Sequence, residues 1–287
     1  MIYREPCQLS LARIDVRSCP RTVTLGVSTV QVSLRSMPTW NAAQYLKFAE
    51  ERTRPCKDLA TAIHIADVRR VIDLGCGPGN STQVLTERWP DAEIVGLDNS
   101  SSMIEVARTE QPQRTWILAD ISEWASTSKE QFDVVFSNAA MQWVDNHPVL
   151  YPKLLQRVRP GGVLATQIPA DFNAAPHQLM RELAPANVHV KEWHSHEPAF
   201  YYDVLSRHAS RVDVFEMIYQ QVMPNADAIV EWYKGTGMRP FLEALPTDIA
   251  RQEFLDQYTL RIRAAFPKRP DGKVLFPFRR LFVVASR

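Results

Sequence analysis

The run Val71-Ile72-Asp73-Leu74-Gly75-Cys76-Gly77-Pro78-Gly79-Asn80 constrains this chain more than any other stretch. An apolar strand ends on an acidic residue and passes into a glycine-dense turn. Ser81-Thr82 follow and suit the opening of a helix. Glycine carries no Cβ, so the backbone can turn sharply there and come close to a bound molecule. Asp73 sets an acceptor beside the turn, which suits a positively charged amino group better than a phosphate. A nicotinamide-type turn reads G-x-G-x-x-G. Counted from Gly75 its third glycine falls on Asn80, and counted from Gly77 on Thr82, so both registers fail.

The pattern D-x-G-x-G-x-G over Asp73–Gly79 instead resembles the first motif of the class I S-adenosyl-L-methionine (SAM) methyltransferases. Two further acids extend the likeness. Ile94-Val95-Gly96-Leu97-Asp98 reads as a second buried strand ending in an aspartate, 25 residues after Asp73. A carboxylate at that place accepts the two ribose hydroxyls in Rossmann-like folds. Trp116-Ile117-Leu118-Ala119-Asp120 repeats the pattern, and the resemblance puts Asp120 near the adenine amino group with Ile121 packed at the base. Aspartate also ends strands for purely local reasons, but three such ends in consecutive β-α units favour a shared ligand.

Phe132–Asn138 and Gly161–Ile168 read as fourth and fifth buried strands. Helices are expected at Ser81–Trp89, Ser101–Arg108 and Pro148–Val158, and two later strands at Val212–Val222 and Arg280–Ala285. Apolar strands alternating with helices give a parallel sheet covered on both faces. The expectation is an α/β, doubly wound, mostly parallel seven-stranded Rossmann-like sheet, with ligands outside the carboxyl ends of its strands. A helical cap is expected from about residues 37–66, 170–208 and 224–276. Within the last, a helix near Thr247–Phe266 places Leu255, Tyr258, Ile262 and Phe266 on one face, which needs a partner surface.

Residues 1–36 differ from the rest. They hold five arginines and no sustained helical period. The reading here is a disordered extension or a start codon assigned upstream of Met37; Glu5 and Asp15 oppose an organelle-targeting peptide. The remainder, 37–287, is read as one methyltransferase domain with its cap.

A net charge of +1 gives no support to a nucleic-acid partner. No apolar run approaches the roughly 18 residues that a bilayer span requires. Cys7, Cys19, Cys56 and Cys76 lack C-x-x-C spacing, so neither zinc nor a disulfide framework is indicated, and a cytoplasmic setting fits. His189, His194 and His196 lie close in sequence, but a polar loop accounts for them without a metal.

Outside the sheet the chain resembles the trans-aconitate 2-methyltransferase family over nearly all of 38–287. The stretches W-N-A-A-Q-Y-L-K-F-A-E-E-R-T-R-P, S-N-A-A-M-Q-W, Y-Y-D-V-L and M-P-N-A-D-A-I-V-E-W-Y-K-G-T-G-M-R-P carry the likeness. It implies methyl transfer from SAM to a carboxylate of trans-aconitate, with related tricarboxylates as weaker acceptors. Carried onto this sequence, the cofactor residues are Asp73, Gly75, Gly77, Gly79, Asp98, Asp120, Ile121 and Asn138. The acceptor residues are Arg52, Arg54, Gln142, Trp143, Tyr201, Tyr202, Arg239 and Arg280. No side chain is needed as a general base. The last strand departs from the family's F-P-R-L-F, reading Phe276-Pro277-Phe278-Arg279-Arg280-Leu281-Phe282, so Arg279 competes with Arg280. A methyltransferase for another small acid, or for a carrier-protein-linked acid, shares the same fold and cofactor and stays open here.

Overall fold

The computed structural model describes residues 53–186, 188, 190 and 195–287, with the backbone alone at 49–52. The expectations for residues 1–36, and for the side chain of Arg52, lie outside the described residues.

Among the described residues, seven strands form one sheet in the order β3-β2-β1-β4-β5-β7-β6. They are β1 (Arg70–Leu74), β2 (Glu93–Asp98), β3 (Thr115–Leu118), β4 (Phe132–Asn138), β5 (Val158–Pro169), β6 (Arg211–Met223) and β7 (Val274–Ser286). β1 to β5 run parallel, and β7 inserts antiparallel between β5 and β6. The strand order reverses between β1 and β4, which leaves a crevice at their carboxyl ends. The central strands are buried on both faces, and their near-continuous apolar runs follow from that.

Two helical layers cover the sheet. α1 (Ala49–Thr61), α2 (Asn80–Arg88) and α3 (Ser101–Glu110) lie on the face that carries Val71, Val134, Val163 and Phe282. α4 (Ile121–Thr127), α5 (His147–Gln156) and, after α6 (Ala175–Leu183), α7 (Pro198–Leu205) pack on the face with Ile72, Leu97 and Leu281. The structure carries α1 through Pro55 to Thr61. Cys56, Leu59, Ala60 and Ile63 recur at helical spacing and are buried, and that stripe outweighs the hydrogen bond lost at proline.

Two expectations shift. β3 ends at Leu118, so Asp120 is not a strand terminus but the N-cap of α4, a helix the sequence reading passed over. β6 and β7 outrun the rest of the sheet at 13 residues each. Their tips support an apolar cluster with α6, α8 (Asp227–Lys234), α9 (Arg239–Ala244) and α10 (Asp248–Ala265). In α10 the buried residues are Phe254, Tyr258 and Ile262, whereas Leu255 and Phe266 are half-buried. The stacked rings of Phe241, Phe254 and Tyr258, with centroids 6.2 and 6.3 Å apart, turn the helix to that face.

Gly96 in β2 shows how tightly the layers fit. A Cβ there would lie 2.3 Å from the Trp116 ring and 3.0 Å from Cys76 Sγ. Overpacking of that kind costs about 1–3 kcal/mol. Gly96→Ala is therefore expected to lower the free energy of unfolding in urea by that amount; an unchanged midpoint and slope would contradict the packing described.

Candidate active site

The turn after β1 is held from three sides. Gly75 and Cys76 donate their backbone N–H groups to the Leu97 carbonyl at 2.7 and 3.0 Å, which ties the turn to β2. Gly75 has φ +72°, and a Cβ on it would stand 2.2 Å from the Ala140 Cβ and 3.8 Å from Ile121 Cδ1. Gly79, also at positive φ, is crowded by Gln111 and Trp116. Gly77 differs: at φ +55° its missing side chain would meet nothing within 4 Å. Gly75 and Gly79 exclude a side chain because protein is there, while Gly77 faces open space.

Two carboxylates hold the turn and the helix start after it. Asp98 accepts the Gly77 N–H on Oδ2 and the Ser100 N–H on Oδ1, both at 2.9 Å, so it clamps one loop to the next and keeps a lone pair on each oxygen. Burial pushes its pKa up, against those backbone bonds. Asp73 is fully buried, and its Oδ2 accepts the hydroxyls of Ser81 and Thr82 at 2.6 and 2.7 Å. Its Oδ1 has no partner among the described residues. Burial raises this carboxyl to about 6 despite the two hydroxyls. An unmatched buried acceptor at the glycine turn is a fitting seat for a cationic amino group.

Asp120 spends Oδ1 on the N–H groups of Ser122 and Glu123, at 2.8 and 3.1 Å, so the local role that aspartate favours is real at this position. It is half-buried and precedes buried Ile121, whose Cδ1 faces Gly75. Asn138 ends β4 with Oδ1 unpartnered among the described residues. Ala139 follows at φ +56°, a strained conformation for alanine. Its carbonyl accepts Gln142 Nε2 at 2.6 Å, which draws the chain into the 3₁₀ turn Met141–Trp143. Gln142 is buried with Oε1 unpartnered among the described residues, and Trp143 is half-buried beside it.

Among the arginines the structure separates the competitors. Strand alternation sends Arg279 and Arg280 to opposite faces. Arg279 is ion-paired to Glu216 at 2.6 Å and approaches Glu197 at 3.6 Å, with 39% of its side chain exposed. Arg280 is 3% exposed, donates to Gln167 Oε1 at 3.1 Å and lies 4.4 Å from the centre of the Phe278 ring. Arg54 is exposed, 5.2 Å from the ring of Tyr219, whose hydroxyl donates to Asp58 at 2.6 Å and feels the charge of Arg280. Arg239 opens α9 and pairs with Glu243 at 2.9 Å.

Tyr201 and Tyr202 sit in different surroundings. Tyr201 is a fully buried member of the main core. His147 Nε2–H donates to the Met141 carbonyl at 2.9 Å, which leaves Nδ1 to accept the Tyr201 hydroxyl at 3.0 Å. The His196 N–H donates to the same hydroxyl at 3.3 Å. Through this hydroxyl Tyr201 braces the turn that bears Gln142. Tyr202, its neighbour, is 51% exposed.

Sequence reading missed several buried polar groups here. Gln167 interrupts an apolar strand, which was the available signal. Asp171 follows β5, is buried, accepts the Tyr233 hydroxyl at 2.9 Å and is raised to about 6 by burial, with Arg280 pulling the other way. Among the described residues no group of histidine, cysteine, aspartate and glutamate side chains is arranged to hold a metal, and no helix is long and apolar enough to cross a membrane. Cys56 and Cys76 are buried free thiols.

Comparison with known proteins gives this geometry a lineage. A family model described as a methyltransferase domain matches residues 71–162. The trans-aconitate 2-methyltransferase of Azoarcus sp. (strain BH72) is 48% identical over 256 residues, covering 88% of this chain and 100% of that protein. That of Rhodopseudomonas palustris (strain BisB18) is 46% identical over 259 residues, covering 88% of this chain and 100% of that one. The chain belongs to the trans-aconitate 2-methyltransferase family. It is thus a SAM-dependent methyltransferase. Its fold is also that of the solved YcgJ protein from Bacillus subtilis, with a TM-score of 0.54 at 12% identity, covering 82% of this chain and 99% of that one. The open side of Gly77 and the unmatched oxygen of Asp73 fit the amino-acid end of SAM.

The Asp73 carboxyl loses its charge as pH falls through about 6. If it faces the donor's ammonium group, SAM affinity measured by calorimetry is constant above that pH and falls below it, by up to about tenfold per unit. Asp73→Asn is expected to bind more weakly with a flat profile; a flat profile in the unaltered protein would contradict the pairing.

Proposed function

We propose that this chain transfers the methyl group of SAM to a carboxylate of trans-aconitate, giving the monomethyl ester and S-adenosylhomocysteine. The observation that carries the reading is the buried guanidinium of Arg280 at the carboxyl edge of the sheet, in a chain 48% identical to a trans-aconitate 2-methyltransferase over that protein's whole length.

On this reading Asp73 and the turn Gly75–Gly79 receive the amino-acid end of the donor. Asp98 takes the ribose hydroxyls with its remaining lone pairs, and Asp120, Ile121 and Asn138 border the base and the sulfonium side. When bound, SAM supplies an electrophilic methyl on a positively charged sulfur. A carboxylic acid has a pKa of about 4, so the acceptor is already an anion at neutral pH and no residue has to remove a proton. The protein's task is placement, which can lower a barrier by several kcal/mol.

An acceptor with three carboxylates needs cations for the two that do not react, while the reacting oxygen keeps a lone pair free. A planar guanidinium binds carboxylate in a two-pronged fork, and Arg280 is held for that role by Gln167 and Phe278. Arg54 beside Tyr219 belongs to the same neighbourhood, and Arg52 precedes it by two residues. Arg239 in the cap exchanges Glu243 for substrate when the acceptor binds. Gln142 and Trp143 flank the acceptor from the strained turn, and Tyr202 borders the entrance.

Mass spectrometry of a reaction with SAM and a mixture of di- and tricarboxylic acids tests the function. The expected product is a monomethyl ester of trans-aconitate; esterification of a different acid alone contradicts the reading. Arg280→Ala removes one partner of a desolvated ion pair, a change worth about 3–5 kcal/mol. Its kcat/KM for trans-aconitate is expected to fall by about a hundredfold or more with SAM affinity little changed. Unaltered kinetics would take Arg280 out of the acceptor site.

A further inference from the structure

A row of buried polar side chains crosses the carboxyl edge of the sheet, and one of its members is only half used. Asn138, the last residue of β4, is in register with Gln167 of β5. Two residues further along β5, Pro169 is in register with Arg280 of β7. Pleating puts Asn138, Gln167 and Arg280 on the same face, so Gln167 stands between the strand end beside the donor turn and the buried guanidinium.

Gln167 is 0% exposed. Its contact with Arg280 Nη1 fixes the orientation of the amide, because a guanidinium has donors only and must face the oxygen. Nε2 is therefore the other end. It is buried and has no hydrogen-bond partner among the described residues. Asn138 Oδ1 and Gln142 Oε1 are unpartnered in the same way, so these atoms do not satisfy one another. A buried amide donor without an acceptor is uncommon, and it is costly unless a ligand completes it.

We propose that Gln167 is a substrate-binding residue: Nε2 donates to a carboxylate of the acceptor, while Oε1 holds Arg280 for the same anion. This rests on the reading of the acceptor as a polycarboxylate. One side chain then links cation placement to a neutral hydrogen bond, so the pocket gains a directional donor without adding charge beside the sulfonium.

Two substitutions separate this role from simple support of Arg280. Gln167→Met keeps the length of the side chain and loses both polar atoms. Gln167→Glu keeps an oxygen for Arg280 but turns the donor into an anionic oxygen facing an anion. With trans-aconitate, Gln167→Met is expected to lose about tenfold or more in kcat/KM, in line with a hydrogen bond to a charged group. Gln167→Glu is expected to lose more, and both keep SAM affinity and Tm close to those of the unaltered protein. A Gln167→Glu enzyme with unaltered kinetics overturns the proposal, since the oxygen toward Arg280 then suffices. Loss of SAM binding in both variants overturns it as well, in favour of packing. Unaltered protein that leaves trans-aconitate untouched fails the polycarboxylate reading and this inference with it, whereas the variant results fail the inference alone.

Discussion

The approach of Gly75 to Ala140 sets the geometry of everything at the carboxyl edge of the sheet. With 2.2 Å between Ala140 Cβ and the place where a side chain would begin, no residue but glycine lets these loops meet. The contact brings the end of β4 over the turn after β1, and the Asp98 carboxylate then locks that turn to the start of α3 through the Gly77 and Ser100 N–H groups. The strained φ of Ala139 sits in the same place, so the chain accepts an unfavourable backbone state where the loops converge. The surrounding parallel strands are buried on both faces, and their packing holds the conformation.

Along one face, the polar groups at this edge are only partly matched by protein. Asp73, Asn138, Gln142 and Gln167 each keep one buried atom without a partner among the described residues, and Asp171 does so in the cap. Burial pushes both Asp73 and Asp171 up to about 6. A core assembled for stability alone would pair or exclude such groups. Their grouping where three parallel strands end, next to a buried arginine, is the pattern of a site that a charged ligand completes.

Much of the sheet was legible because buried parallel strands read as short apolar runs ended by aspartate or glycine. The strand order and the antiparallel setting of the last strand are not written in strand composition, and the structure supplies them. The arginines show where legibility stopped. Arg279 and Arg280 are adjacent, equally basic and at one strand opening, and only the pleat decides which is buried. A tyrosine beside another tyrosine likewise gives no sign that a histidine 54 residues earlier meets the hydroxyl of Tyr201. Asp120 carried both meanings, since a strand-end acid and a helix cap look alike until the helix after it is seen. Gln167 had a visible signal, a polar residue within an apolar strand, whose weight depends on knowing that its amide nitrogen is unpartnered.

In the proposed function, one face of the sheet aligns a nucleotide-derived methyl donor with a polyanion gripped at Arg280. A crystal structure of the protein with S-adenosylhomocysteine and trans-aconitate tests this most directly. It is expected to show the donor's amino group against Asp73 and an acceptor carboxylate within hydrogen-bond distance of the Arg280 guanidinium. An acceptor bound elsewhere, with Arg280 enclosed by protein groups alone, would contradict it.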